Sequence, residues 1–311
     1  MKTIPQIVPG VAEKSRRPAG RTACLSNHIT NTFLNATMST NNLKPKKSLG
    51  QHFLHSPTAL KKIIDAAEIT PGETVLEIGP GTGILTEALL ATGASVIAVE
   101  MDNRAYSLLT QKFAGEIASK GLKLIMGDVL KETLPLTDGN YSLVANIPYY
   151  ITGAILEKFL EHSPRPNRIV LLVQKEVAER IVARDKKESV LSISVKAFGT
   201  PRIVAIVPRG AFVPAPTVDS AIIAIENISG KKFSDHSITN IKHFFQIVRA
   251  GFAHKRKFLK RNLESMASPE ILDTIWETLG INEKVRAEDI VPEDWVKLAA
   301  LISKISNGKN I

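Results

Sequence analysis

Short apolar runs alternate with longer helical stretches between residues 56 and 225, and this alternation constrains the fold more than any other feature of the chain. Strands that alternate with helices form a parallel sheet with helices on both faces. The pattern predicts strands at 74–78, 94–99, 122–126, 142–145 and 168–173, with late, antiparallel candidates at 201–207 and 221–225. Helices are predicted at 57–67, 84–92 and 103–118. The predicted fold class is therefore α/β.

The character of the sequence changes after residue 227. Helical stretches at 238–252, 255–266, 269–279 and 293–305 follow, separated by breaks such as Ser268-Pro269 and Gly280. We therefore predict three parts: a disordered basic extension at 1–42, an α/β domain at 43–228 and a smaller all-helical domain at 229–311.

Composition limits the class of protein further. The 40 lysines and arginines against 30 acids give a net charge of +10, which favours a polyanionic partner, although a basic surface can also serve solubility alone. The single cysteine excludes an internal disulfide. No apolar run approaches the roughly 18 residues that span a bilayer. His52 and His55 form the one close histidine pair, too few ligands for a metal site, so we expect neither a metal nor a membrane partner.

A glycine-rich loop follows the first predicted strand and precedes a helix. Gly79, Gly81 and Gly83 are spaced as Gly-x-Gly-x-Gly, with Glu77 two residues before the first glycine. Glycines let a ligand approach the backbone closely. A dinucleotide-binding loop needs glycine or alanine where this chain has Ile84, which argues against a nicotinamide oxidoreductase. The spacing instead resembles the first motif of class I methyltransferases, whose loop packs against the methionine part of S-adenosylmethionine.

Two further acids stand at the carboxyl ends of predicted strands, the edge at which open α/β sheets bind ligands. Glu100 ends the second strand and can accept hydrogen bonds from both ribose hydroxyls of a cofactor. Asp128 follows the third strand and can accept one from a cofactor's adenine amine. Either acid alone is more typical of a helix cap or a solvated loop. Together with the glycine loop they make three matched positions at strand ends, and these predict one cofactor site.

The fourth strand ends with Asn146-Ile147-Pro148-Tyr149. An adenine amine is a weak nucleophile because its lone pair is delocalised into the ring. The Asn146 side-chain oxygen and a neighbouring backbone carbonyl can accept hydrogen bonds from its two N–H groups and expose the lone pair. Pro148 fixes the backbone, and Tyr149 offers an aromatic face to a flipped base. Alone, the motif is also typical of a strand-end turn; after the cofactor motifs it predicts methylation of an adenine amine, by positioning and electrostatics.

A second aromatic residue is predicted to cover the opposite face of the base. Phe212 precedes a segment with spaced prolines, Pro214 and Pro216, which favour a stiff extended backbone. Such a segment can hold the ring in place over the site. The alternative is a proline-rich linker with a phenylalanine in the core.

Taken together, these residues resemble the ribosomal RNA adenine N6,N6-dimethyltransferases, from about residue 44 to residue 300. Also similar are the opening motif Lys47-Ser48-Leu49-Gly50-Gln51-His52-Phe53-Leu54 and the segments 173–180 and 251–259. The family often has asparagine where this chain has His52. By position, the resemblance implies cofactor contacts at His52, Leu54, Gly79, Glu100, Asp128 and Asn146, and catalytic roles for Asn146, Tyr149 and Phe212.

Two branches of the family share this core. One dimethylates two adjacent adenines near the 3′ end of small-subunit (16S) rRNA during ribosome assembly, and the other modifies one adenine of large-subunit rRNA and gives macrolide resistance. The extended helical half and residues 285–288 resemble the first branch. The resemblance then implies a monomer that uses S-adenosylmethionine in the 43–228 domain. Its partner would be rRNA in a partly assembled small subunit, bound by the helical 229–311 domain.

A basic segment at 249–261 is a candidate for RNA phosphate binding. It contains six cations and no acid: Arg249, Lys255, Arg256, Lys257, Lys260 and Arg261. On the predicted helix, positions 256 and 260, and 257 and 261, share faces. The alternative is a solvated helix face, which is the usual location of a run of charges.

Rival functions share parts of these motifs. A DNA adenine or protein amide methyltransferase would have a related Asn-Pro-Pro-Tyr or Asp-Pro-Pro-Tyr motif, but Ile147 and the opening motif argue against it. A non-catalytic RNA-binding factor could keep the same fold, but the intact acids and Asn146 favour chemistry. The first 37 residues could be an RNA-contacting tail, an organelle targeting peptide, or sequence upstream of a start at Met38. We favour the last, or a passive tail, and expect a cytoplasmic protein.

Overall fold

A seven-stranded sheet forms the centre of the computed structural model, which describes residues 43–46, 49–137, 140–162 and 164–306. The predicted disordered extension at 1–42 lies outside these residues, as do Lys47 and Ser48 of the opening motif. The strands are β1 (Phe53–Leu54), β2 (Thr74–Ile78), β3 (Ser95–Glu100), β4 (Leu122–Met126), β5 (Tyr141–Asn146), β6 (Arg168–Gln174), β7 (Thr200–Val207), β8 (Phe212–Val213) and β9 (Ser220–Glu226). The α-helices are α1 (Pro57–Ala67), α2 (Ile84–Leu90), α3 (Asn103–Lys112), α4 (Ala114–Ala118), α5 (Thr152–Glu161), α6 (Lys175–Val182), α7 (Val190–Lys196), α8 (Lys231–Asp235), α9 (Ile241–Gly251), α10 (Leu259–Asn262), α11 (Pro269–Leu279) and α12 (Pro292–Ser306).

The strand order in the sheet is β4-β3-β2-β5-β6-β9-β7. Strands β4, β3, β2, β5 and β6 run parallel, whereas β9 is antiparallel to both β6 and β7. Strands β1 and β8 form a separate antiparallel pair. The predicted α/β class and the antiparallel late strands are confirmed, and the sheet is Rossmann-like. The chain proceeds from β2 toward β4 on one side and from β5 toward β6 on the other, so its direction reverses between β2 and β5, where such sheets bind ligands.

Apolar side chains cover both faces of the sheet, because neighbouring residues of a strand point to opposite sides. In β5, Leu143 packs into one core cluster and Val144 into the other, and both are fully buried. Helices α1 and α2 supply the cluster on the Val144 side. The cluster on the Leu143 side extends into the C-terminal helices and includes Phe233 and Trp295. The helical region therefore shares a core with the sheet, and the predicted domain boundary at 228 stays a prediction.

Local sequence explains where the helices begin and end. Helix α1 follows Ser56, whose Oγ accepts a hydrogen bond from Ala59 N at 3.2 Å, and it has Pro57 in its first turn. Helix α11 ends at Leu279 and is followed by Gly280, whose φ of 62° is the left-handed conformation that favours glycine. Both helices have their predicted bounds.

The prediction of one continuous helix at 103–118 was wrong. Helices α3 and α4 meet at Phe113, whose backbone leaves helical geometry with φ −111° and ψ 30°. The Phe113 side chain is buried and its ring packs against Gly83, where an added Cβ would lie 2.6 Å from the ring. The break between the two helices therefore coincides with the packing of this ring against the glycine loop.

The prediction of a helix at 255–266 was wrong as well. Residues 252–258 form turns and bends, and α10 begins only at Leu259. The Asn262 side chain explains this, since its Nδ2 donates to the carbonyl oxygens of Gly251 at 2.6 Å and His254 at 3.2 Å. These bonds stabilise a turn between α9 and α10. The exposed basic turn, Lys255, Arg256 and Lys257, therefore does not share a helix face with the cations that follow it.

No helix in the part of the chain that the structure describes is long and apolar enough to cross a membrane.

Candidate active site

A cavity of about 310 Å³ opens at the carboxyl edge of the sheet, between the ends of β2 and β5. Its walls are residues 49–54, the glycine loop after β2, the end of β3, the loop after β4 and the turn after β5. This volume falls within the range of small-molecule sites. The cavity therefore lies where the direction of the chain reverses, and it collects the predicted motifs at one place.

Two glycines of the loop are required by close packing. Gly81 has φ 58°, and a Cβ there would lie 3.0 Å from the Phe53 ring. Gly83 has φ 77° and packs against Phe113. At Gly79, by contrast, a Cβ would meet no atom within 4 Å. The loop is thus tightly packed at two positions and leaves open space at Gly79, which lines the cavity.

Glu77 lines the same cavity although its side chain is almost completely buried. Its Oε2 accepts a hydrogen bond from Thr86 Oγ1 at 2.6 Å. Burial disfavours the charged form and is the main reason that the pKa of Glu77 rises to about 8; the bond from Thr86 opposes this rise and the nearby Glu100 adds to it. The carboxyl is therefore largely protonated at neutral pH in this environment.

Glu100 is fixed by three backbone N–H donors. Its Oε2 accepts from Gly81 N at 3.0 Å, and its Oε1 accepts from Met101 N and Asp102 N, both at 2.8 Å. Burial raises the pKa of Glu100, and these hydrogen bonds oppose the rise. The carboxylate is thus held rigidly in the cavity wall, and its oxygens retain lone pairs for further donors.

Asp102 anchors the 49–54 segment to the end of β3. Its Oδ2 accepts hydrogen bonds from Gln51 Nε2 at 3.1 Å and from Arg104 at 2.6 Å. The bonds from Arg104 lower the pKa of Asp102 to about 2, although burial opposes them. A charged group outside the motifs therefore positions the segment that carries His52 and Leu54.

Asp128 lies in the loop after β4 and lines the cavity. Its Oδ1 accepts a hydrogen bond from Leu130 N at 3.0 Å, which fixes the loop. Its Oδ2 lies 3.7 Å from the exposed Lys131 Nζ, and the Asp128 side chain is 30% exposed. One oxygen is thus used by the backbone, while the carboxylate stays accessible to a ligand.

Asn146 ends β5, and the 49–54 segment orients its amide. Asn146 Nδ2 donates to the His52 backbone oxygen at 3.1 Å. Because the amide nitrogen donates to this carbonyl, the amide oxygen is the end of the side chain that can accept a hydrogen bond from a ligand. The His52 side chain is itself fixed, since its Nδ1 donates to Pro214 O at 2.8 Å.

Tyr149 is held through both its hydroxyl and its ring. The hydroxyl lies 2.6 Å from Ser220 Oγ. The ring is nearly parallel to that of His52, with 14° between the planes and 6.0 Å between the centroids. Burial raises the pKa of Tyr149, so the phenol stays neutral at physiological pH. The structure thus gives His52 three contacts that its sequence position did not predict: its backbone oxygen bonds Asn146, its Nδ1 bonds Pro214 O, and its ring lies beside that of Tyr149.

Phe212 does not lie where the sequence argument placed it. Its side chain is 2% exposed, belongs to a core cluster and does not line the cavity. The reason is the pairing of β8 with β1, in which Phe212 stands opposite Leu54 and its ring packs into the apolar core. Leu54 does line the cavity. Phe212 therefore packs beside Leu54 in the core, and its predicted catalytic role stays a prediction.

The other predicted site residues meet at the one cavity. They are His52, Leu54, Gly79, Glu100, Asp128, Asn146 and Tyr149. Gln51 and Met101 were not predicted as site residues, although they stand directly beside the predicted residues His52 and Glu100. The sequence argument also missed Ser220, which lies 71 residues from Tyr149 along the chain and carries no local signal.

A sheet of this order, with a glycine loop after β2 and acids following β3 and β4, defines a class I methyltransferase. More specifically, the chain belongs to the ribosomal RNA adenine dimethylase family, whose profile matches residues 42–304, and is therefore a methyltransferase that acts on adenine in rRNA.

Individual relatives agree with this family. The ribosomal RNA small subunit methyltransferase A of Dehalococcoides mccartyi is 43% identical over 262 residues, which cover 82% of this chain and 88% of that protein. The protein of the same name from Nostoc sp. is 38% identical over 274 residues, covering 84% and 98%. The crystal structure of a dimethyladenosine transferase from Plasmodium falciparum matches with a TM-score of 0.70 at 31% identity, covering 83% of this chain and 99% of that one.

Proposed function

We propose that this chain transfers methyl groups from S-adenosylmethionine to the N6 amines of two adjacent adenines near the 3′ end of small-subunit (16S) rRNA, a step in ribosome biogenesis. The observation that carries the chemistry is the orientation of Asn146, whose nitrogen is bonded to the His52 carbonyl and whose oxygen is left for the substrate. The names of the Dehalococcoides and Nostoc relatives favour small-subunit over large-subunit rRNA.

The residues around the cavity fit S-adenosylmethionine. The open space beside Gly79 admits the methionine part close to the backbone. Glu100, fixed by three donors, retains lone pairs for the ribose hydroxyls. The accessible carboxylate of Asp128 suits the adenine amine. When bound, the cofactor supplies a methyl group on a positively charged sulfur, which makes that methyl group electrophilic.

The chain's own contribution to the reaction is to prepare the target amine. Asn146 Oδ1 accepts a hydrogen bond from one N–H of the amine, and a neighbouring backbone carbonyl accepts one from the other N–H, which frees the nitrogen lone pair for attack. Tyr149, held by Ser220, presents its ring to the base. The methylated nitrogen is positively charged and loses its proton without a strong general base, so the rate enhancement comes from orientation and electrostatics.

The basic turn is the proposed contact with RNA phosphates. The other three cations of the basic segment are already neutralised: Arg249 by Glu157, Lys260 by Asp273 and Glu283, and Arg261 by Glu264. Lys255, Arg256 and Lys257 are exposed and form no ion pair with any residue that the structure describes. Unpaired exposed cations bind phosphates at the lowest cost, because no existing ion pair has to be broken.

The partner and the location follow from the same proposal. The helical region at 229–311 would hold the rRNA of a partly assembled small subunit, and residues 43–228 would hold the cofactor. The reaction would take place in the cytoplasm, or in an organelle if residues 1–37 are a transit peptide.

Transfer of labelled methyl groups to undermethylated small subunits, with large subunits in parallel, tests the proposal. We expect the wild type to label small subunits only, and Asn146→Ala to label neither. Asn146→Asp keeps an oxygen acceptor but loses the donor to His52, so it should retain intermediate activity. Label confined to large subunits, or full activity of Asn146→Ala, would contradict the proposal.

A further inference from the structure

Tyr150 is the most exposed large apolar or aromatic side chain among the described residues, at 67%. It lies in the 3₁₀ turn Tyr149–Ile151, directly after the tyrosine that is held by Ser220. The turn itself is fixed, since Ile151 N donates to Pro148 O at 3.2 Å and Thr152 Oγ1 donates to Tyr149 O at 3.0 Å. An exposed aromatic ring is therefore mounted on an ordered backbone next to the candidate active site.

One edge of the Tyr150 ring rests on the opening motif. A Cβ added to Gly50, whose φ is 58°, would lie 3.3 Å from Tyr150 Cε1 and 3.5 Å from Cδ1. The contact therefore depends on the absence of a side chain at Gly50. It supports the ring from one edge while most of the ring surface remains open to solvent.

The ring stands on the border between two depressions. Tyr149 and Tyr150 line the active-site cavity and also an adjoining groove. The groove is formed by residues of α5, α6, α7 and α9 and reaches Lys255 of the basic turn. A strand of RNA that leaves the cavity along this groove passes Tyr150 first.

Charge alone does not make this groove a nucleic-acid site. Three of its cations are paired with acids in or beside it: Arg249 with Glu157, Arg184 with Glu179, and Lys187 with Glu288 and Asp289. Arg180 and Lys255 are exposed and form no ion pair with a described residue. With few free cations, an aromatic face at the cavity mouth is the strongest feature for binding a single-stranded segment, because any base can stack on it.

We propose that the Tyr150 ring is a stacking platform for the base next to the target adenine. This inference rests on the proposed function and adds a substrate-binding residue to it. Extruding one adenine into the cavity removes a stacking partner from its neighbour. An exposed, supported ring at the mouth replaces that partner. Because the proposed targets are two adjacent adenines, the second adenine would lie on Tyr150 while the first is methylated.

The test compares Tyr150→Ala with Tyr150→Phe, which keeps the ring, and with Tyr106→Ala, which removes an aromatic residue that lines neither depression. Undermethylated small subunits are the substrate, at saturating S-adenosylmethionine. We expect Tyr150→Ala to raise the KM for subunits about tenfold, with kcat little changed. Tyr150→Phe and Tyr106→Ala should stay within about twofold of the wild type, and the cofactor-induced shift in Tm should be the same in all four proteins.

A second readout separates this inference from the proposed function. Binding of a fluorescein-labelled single-stranded adenine-rich RNA, followed by anisotropy, needs no methyl transfer, and here too only Tyr150→Ala should weaken the Kd. If Tyr150→Ala and the wild type had the same KM and the same Kd, the proposed stacking role of Tyr150 would be overturned. A loss on whole subunits without any loss on the naked RNA would also overturn it, since the ring would then contact a ribosomal protein. Failure of the wild type to label small subunits would count against the proposed function alone, because the anisotropy comparison still decides the platform.

Discussion

The cofactor side and the RNA side of this site are built in opposite ways. On the cofactor side, Glu100 is 5% exposed and accepts three backbone hydrogen bonds. On the RNA side, Tyr150 is 67% exposed and the basic turn is free of ion pairs with described residues. The cofactor is therefore met by groups that the folded backbone fixes, and the RNA by groups that stand in solvent. Substitutions on the first side should change stability and binding together, whereas substitutions on the second should change binding alone.

The largest effect is expected at Asn146, where the two sides meet. Asn146→Ala should lower kcat by at least about 100-fold, because the acceptor that orients the amine is lost. Cofactor affinity should fall far less, since Gly79, Glu100 and Asp128 remain. Single-turnover rates and calorimetric titration with cofactor measure the two quantities. A parallel loss of both would mean that Asn146 acts only by holding the opening motif through the His52 carbonyl.

Removal of the basic turn tests whether the RNA side is independent of stability. When log Kd for RNA is plotted against log salt concentration, the triple variant Lys255→Ala, Arg256→Ala and Lys257→Ala should have a slope smaller by roughly two to three than that of the wild type. Its Tm should stay within about 1 °C of the wild type, since exposed substitutions have small effects. The control is Lys231→Ala, a cation paired with Asp235. If Lys231→Ala reduced the salt dependence of RNA binding as much as the triple variant, the proposed role of the basic turn in phosphate binding would be contradicted.

Glu100→Gln tests whether stability and binding are coupled on the cofactor side. A glutamine places an NH₂ group against backbone donors, so at least one buried N–H loses its acceptor, which costs about 1–3 kcal/mol. We expect a Tm lower by roughly 2–12 °C and a cofactor affinity reduced at least about tenfold. Glu116→Gln, at an exposed position on α4, is the matched control. Weaker cofactor binding with an unchanged Tm would contradict the coupling of stability and cofactor binding at Glu100.

The pH dependence of stability sharpens the same contrast. The folded chain keeps a proton on Glu77 up to about pH 8, whereas the unfolded chain releases it near 4.5. Between these values the folded state binds more protons, so this group lowers stability as pH rises. Glu77→Gln removes the effect, and its free energy of unfolding relative to the wild type should increase from pH 5 to pH 8. Denaturant titrations without cofactor measure this, and a difference that does not vary with pH would contradict it.

The smallest effect is expected at Ser220, which supports Tyr149 from outside the motifs. Ser220→Ala removes one hydrogen bond to the phenol and should lower kcat about threefold, the size expected for one such bond. Tyr149→Phe removes the same bond from the other side, so the double variant should be no worse than either single one. Additive losses in steady-state assays would show that the two residues act separately.

The sequence predicts the cofactor side better than the RNA side, for a physical reason. Strands β2 and β4 are short, mostly apolar runs, and their predicted bounds match the structure. The glycines and acids stand at the ends of strands, so their positions in the sequence are enough to predict the cofactor site. The break at Phe113, the turn fixed by Asn262 and the burial of Phe212 against β1 depend on contacts distant along the chain. Such contacts leave no periodic signal in the local sequence.

The most direct measurement is a nucleotide map of the product. Undermethylated small subunits are incubated with the wild-type chain and cofactor, and the rRNA is digested and read by mass spectrometry. We expect N6,N6-dimethyladenosine at two adjacent adenines near the 3′ end with the wild type, and none with Asn146→Ala. Methyl groups on any atom other than N6, or at these adenines with Asn146→Ala as well, would contradict it.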